Sequence, residues 1–323
     1  MTMAIRIHET GGPEMLRWEE VEVGGPGPGE ARVRQTAVGL NFIDVYHRSG
    51  LYTLPPPAVL GSEAAGVVEE VGESVSGVRP GDRVAYAGVV GAYAQARLIR
   101  ADRLVPLPAD ISDRTAAAMM LKGMTAQYLL RRTCRIEPGN FVLIHAAAGG
   151  VGLIACQWAK HLGATVIGTV STGEKAALAR DHGCDHPIVT SREGFVTRVR
   201  EITGGQGVRV VYDSAGKDTF DGSLDCLQPL GMMVSYGNSS GPVAPISPLV
   251  LSAKGSLFLT RPTLMTYTAR REDLLTTASE LFDVVRSGAV RIEIRQTYPL
   301  AEAARAHRDL EARRTTGSTV LLP

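Results

Sequence analysis

In the first third of the chain, short runs alternate apolar and polar positions, as in Ala31–Val38 and Ala64–Val71. A period of two sends successive side chains to opposite faces of a strand. The runs are separated by GGPGPGE, PPP and RPGD, where Pro sets φ and Gly accepts turn conformations closed to other residues. GVRPGDRVAYAG, from Gly77 to Gly88, reads as a turn followed by a strand. Many short strands joined by tight turns predict a small barrel or sandwich rather than a parallel sheet.

The pattern changes near Ser112. Asp113–Arg132 carries helix formers and an apolar face, with Gly123 expected to interrupt it. FVLIHAAAGGVGLIACQWAKHLGATVIGTVST then reads as strand, glycine-rich turn, helix and strand, the span of one βαβ unit. The alternation continues with helices at Lys175–His182, Arg192–Thr203 and Thr219–Leu227. Strands are expected at Pro187–Val189, Val208–Asp213, Gly231–Tyr236 and Ser256–Leu259. Such alternation predicts an α/β chain containing a doubly wound parallel sheet. Beyond Pro262 come a helix at Arg271–Ser287, a strand, a helix at Leu300–Arg313 and a strand at Thr319–Leu322. These last elements are expected to return to the first domain, giving boundaries at 1–122, 123–262 and 263–323.

Composition narrows the function classes. A length of 323 residues suits two domains, and 44% hydrophobic with 21% charged residues is a globular mix. A formal net charge of +1 leaves no basic excess for tracking nucleic-acid phosphates. MTMAIRIHETGG alternates like a strand and lacks a signal peptide's apolar core, and no stretch is apolar enough to span a bilayer. A cytoplasmic protein without membrane partners is expected. Cys134, Cys156, Cys184 and Cys226 are scattered with no CxxC pair, which argues against disulfides and structural zinc.

The chemistry centres on Ala147-Ala148-Gly149-Gly150-Val151-Gly152. Against GxGxxG, Ala147 takes the first place and Gly149 and Gly152 the others. That motif supplies a tight turn, bare backbone beside a pyrophosphate and a close helix–strand contact. A glycine-rich turn can also be a turn without a ligand. Its place between FVLIHA and an amphipathic helix favours the dinucleotide. The second strand ends Thr169-Val170-Ser171-Thr172-Gly173-Glu174-Lys175, without the acid at its tip that an NAD site uses for the ribose 2′-hydroxyl. Ser171 and Lys175 suit a 2′-phosphate, so NADPH is the expected cofactor. Glu174 is the one dissenting residue, and Lys175 on a solvated helix surface is the bland alternative.

These segments, with NFIDVYHRSGLY, LGSEAAGVVEEVG, LKGMTAQYLL, VRVVYDSAG, VSYGNSSG, GSLFLTRP and RAHRDLEAR, run from end to end of the chain. Together they resemble the zinc-independent, zeta-crystallin-like quinone oxidoreductases of the medium-chain dehydrogenase/reductase superfamily. The resemblance implies a GroES-like catalytic domain, a Rossmann cofactor domain, an active site in the cleft between them and a homodimer. It implies that Asn41, Phe42, Asp44 and Tyr46 line the nicotinamide end, with Tyr52 near the substrate mouth. Lys122, Thr125 and Tyr128 would lie where the chain passes between domains. Gly149, Gly150 and Val151 would hold the pyrophosphate, and Ser171, Gly173 and Lys175 the adenosine side. Ser214 and Tyr236, Gly237, Asn238 and Ser239 would close over the ribose and nicotinamide. Arg261, Pro262 and Arg313 match further cofactor positions. The chain departs at Thr190, where the family often places a Tyr against the adenosine phosphate; a hydroxyl remains and the ring is lost.

The wider superfamily contains zinc alcohol dehydrogenases whose first domain carries GHE, but this chain reads Gly61-Ser62-Glu63 and has no Cys before Cys134. His8 and His47 stand alone, so no zinc is expected. Without a Lewis acid, a quinone or activated enone is an easier hydride acceptor than a simple ketone, because its product anion is delocalised. No Ser/His/Asp arrangement is legible. Tyr46 and Tyr52 are the candidates for orienting the substrate oxygen, with packing as their alternative role. The expectation is an NADPH-dependent quinone reductase. The alternatives are an NADPH-dependent enone or 2-alkenal reductase and a non-enzymatic NADPH-binding structural protein.

Overall fold

The computed structural model describes all 323 residues. In chain order it contains β1 (Thr2–Ile7), β2 (Arg17–Val21), β3 (Glu30–Leu40), α1 (Phe42–Ser49), β4 (Ala58–Val59), β5 (Glu63–Val71), β6 (Arg83–Ala87), β7 (Ala96–Arg100), β8 (Val105–Pro106) and α2 (Asp113–Tyr128). Next come β9 (Phe141–Ile144), α3 (Gly150–His161), β10 (Thr165–Val170), α4 (Gly173–Asp181), β11 (His186–Val189), α5 (Phe195–Ile202), β12 (Val208–Asp213) and α6 (Phe220–Cys226). The chain ends with β13 (Leu227–Ser235), α7 (Leu249–Ala253), β14 (Phe258–Thr260), α8 (Leu264–Tyr267), α9 (Arg271–Arg286), β15 (Ile294–Pro299), α10 (Ala303–Glu311) and β16 (Ser318–Leu322).

Two units divide these elements. The first comprises residues 1–124, 268–282 and 292–323. Its seven-stranded sheet runs β15-β16-β3-β5-β6-β8 with β7 also on β3, and a smaller sheet runs β2-β1-β4. Alternation in β3 buries Ala31, Val33 and Gln35 against a core of Leu60, Val68, Val84, Tyr86, Tyr93 and Leu104. The C-terminal strand β16 pairs antiparallel with β3, Thr319 opposite Leu40. This β-rich unit agrees with the turn-punctuated strands of the first third and with the GroES-like domain that the resemblance implies.

The second unit comprises residues 125–267 and 283–291. Its six-stranded sheet has the order β11-β10-β9-β12-β13-β14, and every pair is parallel. Numbered within the sheet, that order is the doubly wound 3-2-1-4-5-6, with a topological switch between β9 and β12. Leu143, Ile167, Val208, Val211 and Met233 fill its core with Val199, Phe220 and Leu224 of the covering helices.

Local differences from the sequence pattern have identifiable causes. Gly123 does not interrupt α2. A Cβ there would stand 2.4 Å from Leu281 Cδ1, so the glycine is the contact that admits α9. After Tyr128 the helix loosens into a π-turn at Leu129–Thr133. The helix expected from Arg192 begins only at Phe195, leaving Thr190 to Gly194 as a turn. Met119, Met120 and Met233 are wholly buried and act as core packing.

Candidate active site

In the second unit, β9 runs into the turn His145–Gly149, and α3 starts at Gly150. Ala147 N donates to Thr169 O at 3.0 Å and Gly149 N to Ala146 O at 2.9 Å, which closes the turn onto β10. Ala146 itself is left-handed at φ 53°. A Cβ on Gly152 would lie 2.3 Å from Ala146 O, so only glycine lets α3 approach its own turn this closely. The alanine in the first motif place has its counterpart on β10. A Cβ at Gly168 would lie 2.6 Å from the Ala147 methyl, so the missing side chain has moved to the neighbouring strand. The first amides of α3 have no intrahelical acceptor, and no acidic residue sits in its first turn. Amides left open in this way at a helix start suit an anion such as a pyrophosphate.

Beneath the turn lies a buried network that the sequence did not disclose. His145 Nδ1 is 2.8 Å from Thr169 Oγ1 and its Nε2 is 2.9 Å from Ser223 Oγ. Ser223 Oγ donates to Asp213 Oδ2 at 3.1 Å. Ser, His and Asp thus meet, but the serine sits between the other two and all three are buried. Burial pulls the His145 pKa down against the pull of Asp213. The arrangement is a brace and not a nucleophile. Asp213 Oδ1 also accepts from Ala215 N and Gly216 N, which fixes the loop after β12.

That loop carries the next group of expected residues. Ser239 N donates to Ser214 O, Tyr236 N to Asp213 O, and Ser240 Oγ to Ala215 O. A Cβ on Gly237 would stand 2.4 Å from Ser214 O. Arg261 Nη1 donates to Gly237 O at 3.1 Å, with Pro262 following it. Ser214, Tyr236, Gly237, Asn238, Ser239 and Arg261 are therefore brought together. Tyr128 stacks on Tyr267 with centroids 4.6 Å apart. Burial, then the nearby Tyr236 and Tyr267, push the Tyr128 hydroxyl up, and Thr125 hydrogen-bonds it.

At the adenosine end, Thr172 Oγ1 caps α4 by accepting from Lys175 N. The Thr172 hydroxyl, followed by Glu174's own backbone amide, holds the Glu174 carboxylate below its ordinary range. The hydroxyl of Thr190, noted above as remaining where a Tyr is lost, donates to Val170 O at 3.2 Å.

In the first unit, Asn41 precedes α1 and its backbone amide donates to Asp44 Oδ2 at 2.9 Å. Ser62 Oγ and Tyr93 OH also donate to Asp44, at 2.9 and 3.0 Å. Burial outweighs these donors and the nearby Lys122 and raises the Asp44 pKa to about 7. Asn41 Nδ2 and Lys122 Nζ both donate to Glu63 Oε2 at 2.9 Å, and Leu121 N donates to Oε1 at 2.7 Å. Gly39 makes room for this carboxylate, since a Cβ there would stand 2.3 Å from Glu63 Oε2.

On the far side of Asp44, Tyr93 OH lies 3.0 Å from His307 Nε2, and Arg48 Nη1 lies 3.1 Å from His307 Nδ1. Arg48 is only a donor, so Nδ1 accepts and Nε2 carries the proton. Burial, then Arg48, lower the His307 pKa to about 3. Every bond in the row points toward Asp44, and an imidazolium beside Arg48 is disfavoured. The row braces α1 against α10.

Phe42, Tyr46 and Tyr52 form a ladder, with ring centroids 6.2 Å apart for Phe42–Tyr46 and 5.1 Å for Tyr46–Tyr52. Tyr52 N donates to Tyr46 O at 3.0 Å, so the two tyrosines are held together. His47 packs edge-on to Tyr52, and burial lowers its pKa. His8 is an exposed partner of Glu19 at 3.0 Å. Arg313 lies just past α10 with a left-handed backbone, φ 58°. Asn41 and Ser62 give amide and hydroxyl groups already bonded to carboxylates, with no thiolate or imidazole beside them. That donor set does not suit zinc.

Residues 27–109 match the family model described as the alcohol dehydrogenase GroES-like domain, and residues 150–282 match zinc-binding dehydrogenase. The chain is 55% identical to a quinone oxidoreductase of Pseudomonas aeruginosa over 325 residues, covering 100% of both chains. It is 53% identical to a 2-haloacrylate reductase of a Burkholderia species, covering 100% of this chain and 99% of that one. Among solved structures, Escherichia coli quinone oxidoreductase complexed with NADPH superposes with a TM-score of 0.98 at 50% identity, covering 99% of this chain and 100% of that one.

Proposed function

Because the chain belongs to the quinone oxidoreductase family of the medium-chain dehydrogenases/reductases, we propose that it passes hydride from NADPH to a quinone without zinc. The observation that carries this reading is end-to-end likeness to an NADPH-complexed relative, combined with a glycine turn whose Gly152 admits no side chain. NADPH supplies the hydride from its nicotinamide. In this reading the amides of Gly150 and Val151 hold the pyrophosphate, Gly149, whose own amide closes the turn on Ala146 O, leaves bare backbone beside it, and Ser171, Gly173 and Lys175 take the adenosine side. Ser214 and Tyr236 to Ser239 close over the ribose. Tyr46 and Tyr52, whose rings meet edge to face at 65°, orient the acceptor. A quinone oxygen that becomes anionic shares its charge with the ring, so positioning and exclusion of water carry most of the catalysis.

Reduction of an activated carbon–carbon double bond is a second reading, favoured by the 2-haloacrylate reductase at 53% identity. Side-by-side turnover of 1,4-benzoquinone and a matched enone with NADPH separates the two. No quinone turnover overturns the first reading.

Assembly as a homodimer is part of the proposal. Strand β14 is an edge that pairs only with β13, and Phe258 and Leu259 on it are 55% and 38% exposed. An apolar parallel edge of this kind suits pairing with a second copy. A cytoplasmic location accords with four free cysteines, which persist in a reducing compartment. No helix is long and apolar enough to cross a membrane.

A further inference from the structure

The turn between β11 and α5 is clamped to the tip of β10. Thr190 N and Oγ1 both donate to Val170 O, at 2.9 and 3.2 Å, and Ser191 Oγ donates to Ser171 O at 3.1 Å. Arg192 N donates back to Val189 O at 2.9 Å. Arg192 is therefore placed by a turn that its own amide closes onto β11 and that Thr190 and Ser191 hold against the tip of β10.

From there its guanidinium reaches over Gly173, the first residue of α4. Nη2 and Nη1 lie 3.6 and 4.0 Å from where a Gly173 Cβ would stand. The guanidinium makes no hydrogen bond or ion pair within the protein. Glu174 is the nearby acid, but its carboxylate is held chiefly by the Thr172 hydroxyl and its own amide, with Arg192 the smallest influence. The Thr190 hydroxyl has given its one proton to Val170 O and cannot also donate to an anion.

We propose that Arg192 recognises the 2′-phosphate of NADPH and sets the preference for NADPH over NADH. The inference rests on the proposed function and deepens it. A planar guanidinium matches a phosphate through two parallel N–H···O bonds, whereas the Lys175 ammonium offers a point charge. Ser171, whose carbonyl accepts from Ser191 Oγ, follows the tip of β10. The oxygen atoms of a 2′-phosphate give Arg192 the anion that the surrounding side chains do not.

Titration calorimetry with the adenosine fragments 2′,5′-ADP and 5′-AMP tests this without turnover. Wild type should prefer 2′,5′-ADP. Arg192→Ala should lose about tenfold or more in affinity for 2′,5′-ADP, with 5′-AMP unchanged, and Arg192→Lys should recover part of the loss. Equal losses on both fragments, or none on either, overturn the inference. A wild type that binds both fragments equally overturns the NADPH preference itself, a separate outcome.

Discussion

Lys122 Nζ lies 2.9 Å from Glu63 Oε2, and the two side chains are 6% and 0% exposed. Two charges have been withdrawn from water and satisfied by each other, with Asn41 and the Leu121 amide completing the carboxylate. Removing one partner strands the other. Lys122→Met should lower unfolding free energy by about 3–5 kcal/mol in denaturant titrations. The pair Glu63→Gln with Lys122→Met should lose much less, because no uncompensated charge remains. A single variant as stable as wild type would contradict the burial of the pair.

Asp44 and His307 sit at opposite ends of the Tyr93 bridge and titrate in opposite directions. The Asp44 pKa is raised from 3.8 to about 7, so the folded state holds an extra proton between those values and stability falls as pH rises through that window. His307 is lowered from 6.5 to about 3, so the unfolded state holds the extra proton and stability rises as pH rises. Between about pH 4 and 6.5 the two slopes oppose each other. Asp44→Asn should leave a stability that climbs with pH over this range, and His307→Gln one that declines. Chemical unfolding at stepped pH reads both slopes. Matching slopes in the two variants would refute the assignment.

The Gly152 contact makes a graded prediction. Gly152→Ala places a methyl 2.3 Å from a carbonyl oxygen, whereas Gly149→Ala places it 3.2 Å from the same atom. Backbone must move in the first case and has only to yield slightly in the second. Gly152→Ala should cost about 1–3 kcal/mol of stability and raise the dissociation constant for NADPH, with a smaller change for Gly149→Ala. Nucleotide fluorescence titration and thermal melts check the order.

Phe258→Glu, at the edge of the six-stranded sheet, should shift the protein toward monomer without lowering monomer secondary structure. Sedimentation velocity with far-ultraviolet circular dichroism measures both. Unchanged sedimentation would remove β14 as the pairing edge.

The period-two runs, the turn residues and the strand–helix alternation were enough to read a β-rich first domain and a doubly wound parallel sheet, because each is a local rule repeated along the chain. Ser62 in place of a histidine and the absence of early cysteines were equally legible, since a missing ligand is visible wherever it should stand. Gly123 was misread as a break because its reason is Leu281, far away in sequence. Ser223 and Asp213 met His145 only when β9, β12 and α6 packed together. Arg192 reads as the start of a helix, but bonds from Thr190 and Ser191 to the tip of β10 keep it in a turn.

The sequence by itself determined which residues could serve: glycines that admit a pyrophosphate, a strand tip without an acid, and a first domain without zinc ligands. Folding decided which of them act together. Burial raised the Asp44 pKa, paired Lys122 with Glu63 and used the Thr190 proton on Val170 O. Desolvation and hydrogen-bond partners arise between segments distant in the chain, so no local pattern records them.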